Sequence, residues 1–219
     1  GTIQPSQSDY FQATKGGAHG DFHLIVLAPN SVQEMHDFVF DAFDLAFKYR
    51  NPVMILSDGV IGQMMEKVVL ADQRPRRTAE EIIAQDGDWA LTGKTADRKE
   101  HVITSLELDP YAQERFNEKL IAKYAKIREN EVRYEEFMTE DADYIIVAFG
   151  SAARICRMTV EMAREAGYKV GLVRPITLYP FPSKVLHDLA ARGVKGFLSA
   201  ELNHGQMVED VRLAVNGQA

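Results

Sequence analysis

Apolar residues in this chain gather into short continuous runs, separated by stretches in which they recur every three or four positions. The first run, "HLIVLAP" at 23–29, is almost unbroken, the mark of a strand covered on both faces. It leads into "SVQEMHDFVFDAFDLAFKYRN", where Val32, Met35, Phe38, Ala42, Leu45 and Tyr49 share one helical face. Ser31 and Glu34 have the spacing of a capping box, in which each side chain satisfies an orphan amide of the first turn. Lys48 and Arg50 suit the negative end of the helix dipole, and Asn51-Pro52 stops the helix. "PVMILSDG" reads as a second strand, so residues 24–58 predict a strand–helix–strand unit with parallel pairing.

The same alternation returns from residue 142. "DYIIVAFG", "YKVGLV" and "VKGFLSAEL" predict strands, each followed by a helical pattern. The first of these helices, "SAARICRMTVEMAREAG", is expected to be capped by Ser151, closed by Gly167, and to bury Ile155 and Met158. Three such repeats make a small doubly wound domain of parallel strands. Between the two α/β regions, residues 62–140 are mixed, charged and turn-rich, ending in a predicted helix over about 111–138 that carries Phe116, Leu120, Tyr124, Ile127 and Tyr134 on one side. The expected organisation is therefore an α/β unit at 1–61, a connection with a charged helix at 62–140, and a second parallel α/β domain at 141–219.

"LVRPITLYPFPS" at 172–183 breaks this pattern with prolines at 175, 180 and 182. Proline removes a ladder donor, so no central strand is expected past Val173. The prolines would fix an extended loop holding Tyr179 and Phe181 outward, as an interface anchor should be held. On that reading alanine at both positions weakens association and leaves the melting of the chain almost unchanged.

Charge narrows the function classes. With 25 basic and 32 acidic residues the net charge is −7, against a nucleic-acid binder, and the basic "RPRR" at 74–77 is followed at once by Glu80 and Glu81. No apolar run approaches the roughly 18 to 20 residues needed to span a bilayer. A single cysteine, Cys156, excludes a disulfide framework and excludes this chain alone holding an iron–sulfur cluster, which takes about four thiolates. A reducing, cytoplasmic setting is expected. The absence of an initiator Met at Gly1 is read as the mark of a fragment of a longer polypeptide.

Few motifs carry chemistry by themselves. "TGKT" at 92–95 fails as a phosphate loop, because Gly87 is one place too far upstream and no strand precedes it. "HGDFH" sets His19 and His23 four apart, but Gly16, Gly17 and Gly20 argue for a loop and no further ligand is evident, so no metal site is assigned. "AFGSAAR" places Ser151 at a helix N-terminus, where an anion could bind; an ordinary capped turn explains it better. Cys156 has no adjacent His or Lys and reads as inert. His204, in "ELNHGQM", lies where a strand leaves the sheet, the ligand-facing end of a parallel sheet.

Taken together, "GTIQPSQSDYFQATKGGAHGDFHLIVLAPNSVQEM", "AFDLAFKYRNPVMILSDG", "FGSAARI", "VRPITLYPFP" and "ELNHGQMVEDVRLAV" resemble the α-type subunit of 2-oxoacid:ferredoxin oxidoreductases. The branched-chain enzyme acting on 2-oxoisovalerate is most similar, the 2-oxoglutarate enzyme next. The resemblance implies that residues 1–61 are the second half of a thiamine-pyrimidine-type domain and 141–219 a transketolase C-terminal-like domain. It implies oxidative decarboxylation of a 2-oxoacid, with coenzyme A taking the acyl group and ferredoxin the electrons.

Thiamine diphosphate and Mg would lie at the interface with a thiamine-binding β-type subunit, iron–sulfur clusters on other subunits including a ferredoxin-like one, and the chain would dimerise. The catalytic glutamate, the substrate threonine and a substrate arginine of the family fall upstream of Gly1, so no catalytic residue is expected here and this chain alone would be inactive. By the same likeness Thr2, Gln4, Gln7 and Asp9 line the thiamine site with His19 nearby, and Asp58 organises the neighbouring loop unless it merely caps a turn. Tyr179, Phe181, His204, Gln206 and Met207 form the docking edge. A non-catalytic module of the same fold, or a 2-oxoacid dehydrogenase E1 β or transketolase-type chain, are the alternatives.

Overall fold

The computed structural model describes residues 4–16, 20–91, 93–94 and 96–218. Helices are α1 (Tyr10–Thr14), α2 (Val32–Tyr49), α3 (Gly59–Gln63), α4 (Ala79–Asp86), α5 (Pro110–Asn130), α6 (Gly150–Glu165), α7 (Ser183–Ala191) and α8 (Met207–Val215). Strands are β1 (Ile25–Leu27), β2 (Val53–Ile55), β3 (Tyr134–Phe137), β4 (Tyr144–Ala148), β5 (Val170–Pro175), β6 (Thr177–Tyr179) and β7 (Gly196–Ala200). Two compact units separate, one of residues 1–69 with 119–219 and one of residues 70–118.

In the larger unit, β4 lies between β5 and β7, parallel to both, while β3 adds antiparallel to β5. Alternate residues of β4 serve opposite faces, as a strand's period of two requires. Ile145 and Val147 pack toward α7 and α8, whereas Ile146 and Ala148 pack toward α6. The second sheet has β1 at its centre, parallel to β2 and antiparallel to β6. Ile25 and Leu27 meet Phe38 and Leu45 of α2 and Tyr124 and Ile127 of α5. Burial of those positions bears out the apolar face read for α2 and the later part of that read for α5, whereas Phe116 is 48% exposed.

Several expectations need correction. The helix predicted to reach 138 ends at Asn130, and Tyr134 begins β3 instead, a strand whose first three residues are exposed and whose pattern is too polar to signal itself. Strand β5 runs past Val173 to Pro175, which pairs with Tyr134 at the strand's last position, where a missing donor costs least. One residue later the chain enters β6 of the other sheet, with the amides of Ile176 and Thr177 both directed to the Arg133 carbonyl. Ile155 and Met158 are not buried: they are 65% and 64% exposed, because α6 turns Ala152, Ala153, Cys156 and Val160 to the sheet. Finally, Ser151 is not the cap of α6; Phe149 holds that position without a side-chain bond, and the Ser151 hydroxyl is buried inside the first turn.

The smaller unit contains α4, opened by a capping box in which Thr78 and Glu81 satisfy each other's amides. Arg77 bonds Gln85 and Asp86, the latter at 3.2 Å. Thr92 and Thr95 of the "TGKT" stretch lie outside the described residues.

Candidate functional site

Three strands deliver their carboxyl ends to one place. The turn after β2 brings Asp58, the turn after β4 brings Phe149 and Gly150, and the loop after β7 brings Leu202 and Asn203. Gln7, from the loop before α1, is laid across all three. Its amide donates to the Leu202 carbonyl at 3.0 Å, its side-chain oxygen accepts from the Leu202 amide at 3.0 Å, and its carbonyl accepts from Asn203 Nδ2 at 3.0 Å. Gln7 Nε2 donates to the Phe149 carbonyl at 2.9 Å and lies 3.5 Å from Asp58 Oδ2.

Asp58 serves two helices at once. Its Oδ1 accepts from the amides of Val60 and Ile61 at the start of α3, and its Oδ2 from the Ser151 amide of α6 at 2.9 Å. The positive N-terminus of α6 is thus already neutralised by a carboxylate of the same chain. Both sequence-level readings of Asp58 are visible here: it caps a turn, and in doing so it orders the loop beside it. Gly150 has φ +58, and a Cβ there would stand 2.8 Å from Asp58 Oδ2 and 2.9 Å from Gln7 Nε2, so this position needs glycine for both conformation and space. The start of α8 is treated like that of α6. Glu201 accepts from the amides of Gln206, Met207 and Val208 at 2.8–3.1 Å.

Around this junction Gln4 and Asp9 are exposed, whereas Gln7 is only 5% exposed. Gln7 therefore faces the protein, and the open groups are its neighbours. Thr2 and His19 lie outside the described residues. Gln206 turns inward to hold the same loop, accepting from the Phe11 amide and donating to the Ser8 carbonyl, both at 2.8 Å. His204 is exposed beside it. Met207 is fully buried in the core between β4 and α8, so its side chain is not free to meet a partner.

Tyr179 and Phe181 are likewise not held outward. Both pack on the core, and the Tyr179 ring stacks on His23 at 4.3 Å, with the rings 11° from parallel. The cause is the pairing of β6 with β1, which draws this segment into a sheet. Alanine at Tyr179 would then lower the stability of the chain itself. These rings line a cleft of about 1110 Å³ together with His23, Arg128, Val185 and Leu189. Burial, with Arg128 nearby, lowers the His23 pKa, favouring the neutral ring. Burial also pushes the Cys156 thiol up, away from the thiolate that a nucleophile needs.

Among the described residues no group of three or more His, Cys, Asp or Glu is placed to hold a metal ion, and no helix is long and apolar enough to cross a membrane. Nothing in sequence spacing foretold Gln7, Glu201 or Gly150 as the residues that organise the junction. The signals available were the family likeness, which named Gln7 as a group lining the cofactor, and the position of Gly150 at a strand-to-helix turn.

Comparison with known proteins adds an independent line. A family model described as pyruvate flavodoxin/ferredoxin oxidoreductase, thiamine-diphosphate-binding, matches residues 1–136, and one described as pyruvate:ferredoxin oxidoreductase core domain II matches 142–219. The ketoisovalerate oxidoreductase subunit VorB of Methanothermobacter marburgensis is 50% identical over 214 residues, covering 98% of this chain and 58% of that protein. The 2-oxoglutarate synthase subunit KorA of the same organism is 32% identical over 236 residues, covering 98% of this chain and 62% of its own. A solved 2-oxoglutarate:ferredoxin oxidoreductase from Magnetococcus marinus, with 2-oxoglutarate, coenzyme A and succinyl-CoA bound, shares the fold at a TM-score of 0.73 and 24% identity, over 97% of this chain and 41% of that one. The chain thus spans less than two thirds of the length of these relatives.

Proposed function

We propose that this chain, which belongs to the pyruvate flavodoxin/ferredoxin oxidoreductase family, supplies one wall of a shared active site in a 2-oxoacid:ferredoxin oxidoreductase. The observation that carries this reading is the 50% identity to a ketoisovalerate oxidoreductase subunit along nearly the whole chain, against 32% to the 2-oxoglutarate subunit. The favoured substrate is therefore 3-methyl-2-oxobutanoate, with 2-oxoglutarate second. In the reaction the 2-oxoacid loses carbon dioxide, its acyl carbon gives up two electrons to one-electron carriers, and the sulfur of coenzyme A takes the acyl group with release of one proton. Bound thiamine diphosphate supplies the stabilised carbanion that such a decarboxylation needs.

The described residues fit part of that cofactor's needs. Asp9 offers an open polar group beside Asp58 and Gly150, at the carboxyl ends of strands, where ligands of α/β sheets bind, and Gln4 is exposed earlier in the same loop. A diphosphate would look instead for free helix amides, and Asp58 already takes the Ser151 amide of α6 and Glu201 three amides at the start of α8. By the family likeness, metal-bound diphosphate is assigned to a thiamine-binding β-type subunit and the iron–sulfur clusters to a ferredoxin-like subunit, in keeping with the one cysteine of this sequence. His204 and the outer edges of Tyr179 and Phe181 are the residues left for contact with such partners, in a cytoplasmic complex.

The test is reconstitution. Full-length chain co-purified with its partner subunits should reduce a one-electron viologen dye on addition of 3-methyl-2-oxobutanoate, coenzyme A and thiamine diphosphate. Full-length chain alone should not. Turnover by the single chain would overturn the shared-site reading.

A further inference from the structure

We infer that Gln7 is a positioning residue: a buried pin that sets the cofactor-facing groups of the loop over residues 4–9 without touching the cofactor. Pro5, Ser8 and Asp9 are exposed and Ser6 is half-buried, while Gln7 between them is 5% exposed with every polar group engaged. A single side chain thereby registers this loop against the ends of three strands belonging to two different sheets. The contact is chemically specific. Nε2 faces two acceptors, the Phe149 carbonyl and Asp58 Oδ2, so a carboxylate at this position would meet oxygen with oxygen. Gly150 completes the pin from the other side by leaving room for both atoms.

The inference rests on the family reading of thiamine diphosphate as the cofactor, and two variants test it in the full-length assembled complex. Gln7→Glu inverts the donor, and Gly150→Ala pushes the same two side chains apart; neither alters an outward-facing group of the loop. Both should raise the thiamine diphosphate concentration for half-saturation at least tenfold, leave kcat at saturating cofactor within about twofold of the parent, and speed amide exchange in residues 4–9. Unchanged half-saturation, or a collapse of kcat at saturating cofactor, would overturn the pin. So would failure of both variants to assemble, since the contact would then hold the fold and not the loop. A parent complex whose turnover ignores thiamine diphosphate would sink the family reading instead, a result visible before either variant is made.

Discussion

Arg174 is 2% exposed and lies between two carboxylates from different elements. One terminal nitrogen bridges both oxygens of Glu34 in α2 at 2.7 and 2.8 Å, and the other reaches Glu135 of β3 at 3.0 Å. Glu34 also turns its carboxylate to the Asn30 amide, not to Ser31, so only half of the expected capping box forms; Ser31 still accepts from the Glu34 amide. Arg174→Ala would strand Glu34 in a mostly buried place, and a loss of about 3–5 kcal/mol in urea unfolding is expected. Glu135→Ala should cost under about 1 kcal/mol, because that partner is half exposed.

Glu131 offers a pH test at the same scale. Burial raises its pKa, but bonds from Lys48 at 2.6 Å and Tyr49 at 2.5 Å outweigh that and hold it below its usual value. A depressed carboxyl stabilises the fold above its unfolded pKa of about 4.3 and loses that contribution as pH falls through the folded value. Urea curves of the parent and Glu131→Gln should therefore differ most near pH 7 and converge as the solution is acidified.

Among the elements, α8 shows how a loop can cap a helix from a distance. Glu201 sits at the end of β7 and receives three amides at the helix start. Glu201→Ala should lower the melting temperature through a loss of about 1–2 kcal/mol, with faster amide exchange at the start of α8. The strands and helices of 142–217 other than β6 were readable one by one, since each carries its own period; β6 falls in the proline-bearing stretch that was read as a loop. Strand β3 was not, because Tyr134, Glu135 and Glu136 are all exposed and leave no alternation to see. The outward stripe of Ile155 and Met158 misled for a related reason: apolar residues on α6 exceed one face, and spacing alone does not say which face meets the sheet.

At the scale of the whole molecule, the two units differ in what holds them. Residues 1–69 with 119–219 contain the three apolar cores found among the described residues. In residues 70–118, Leu70, Ile83, Leu91, Val102, Leu106 and Leu108 are all exposed. Segments with few buried apolar contacts open most readily. Limited trypsin digestion of the full-length chain should cut first at Arg76, Arg77, Lys94 and Lys99, leaving the larger unit resistant, as mass spectrometry of the early fragments would show.

The division between what was legible and what was not follows the range of the forces involved. Periodicity, capping residues and prolines act within a few positions, so the chain by itself determined its α/β character, the buried face of α2 and the edges of most elements. Its likeness to a family came from the same linear record. Gln7 meets Leu202 across 195 positions and Asp58 meets Ser151 across 93, and no local period encodes either. Only the folded chain decided that β6 would leave its neighbour's sheet for β1, and that Asp58 would meet the start of α6. Those choices depend on which buried donors and acceptors find partners once the sheets have packed, since an unpaired polar group inside costs more than any local preference gains.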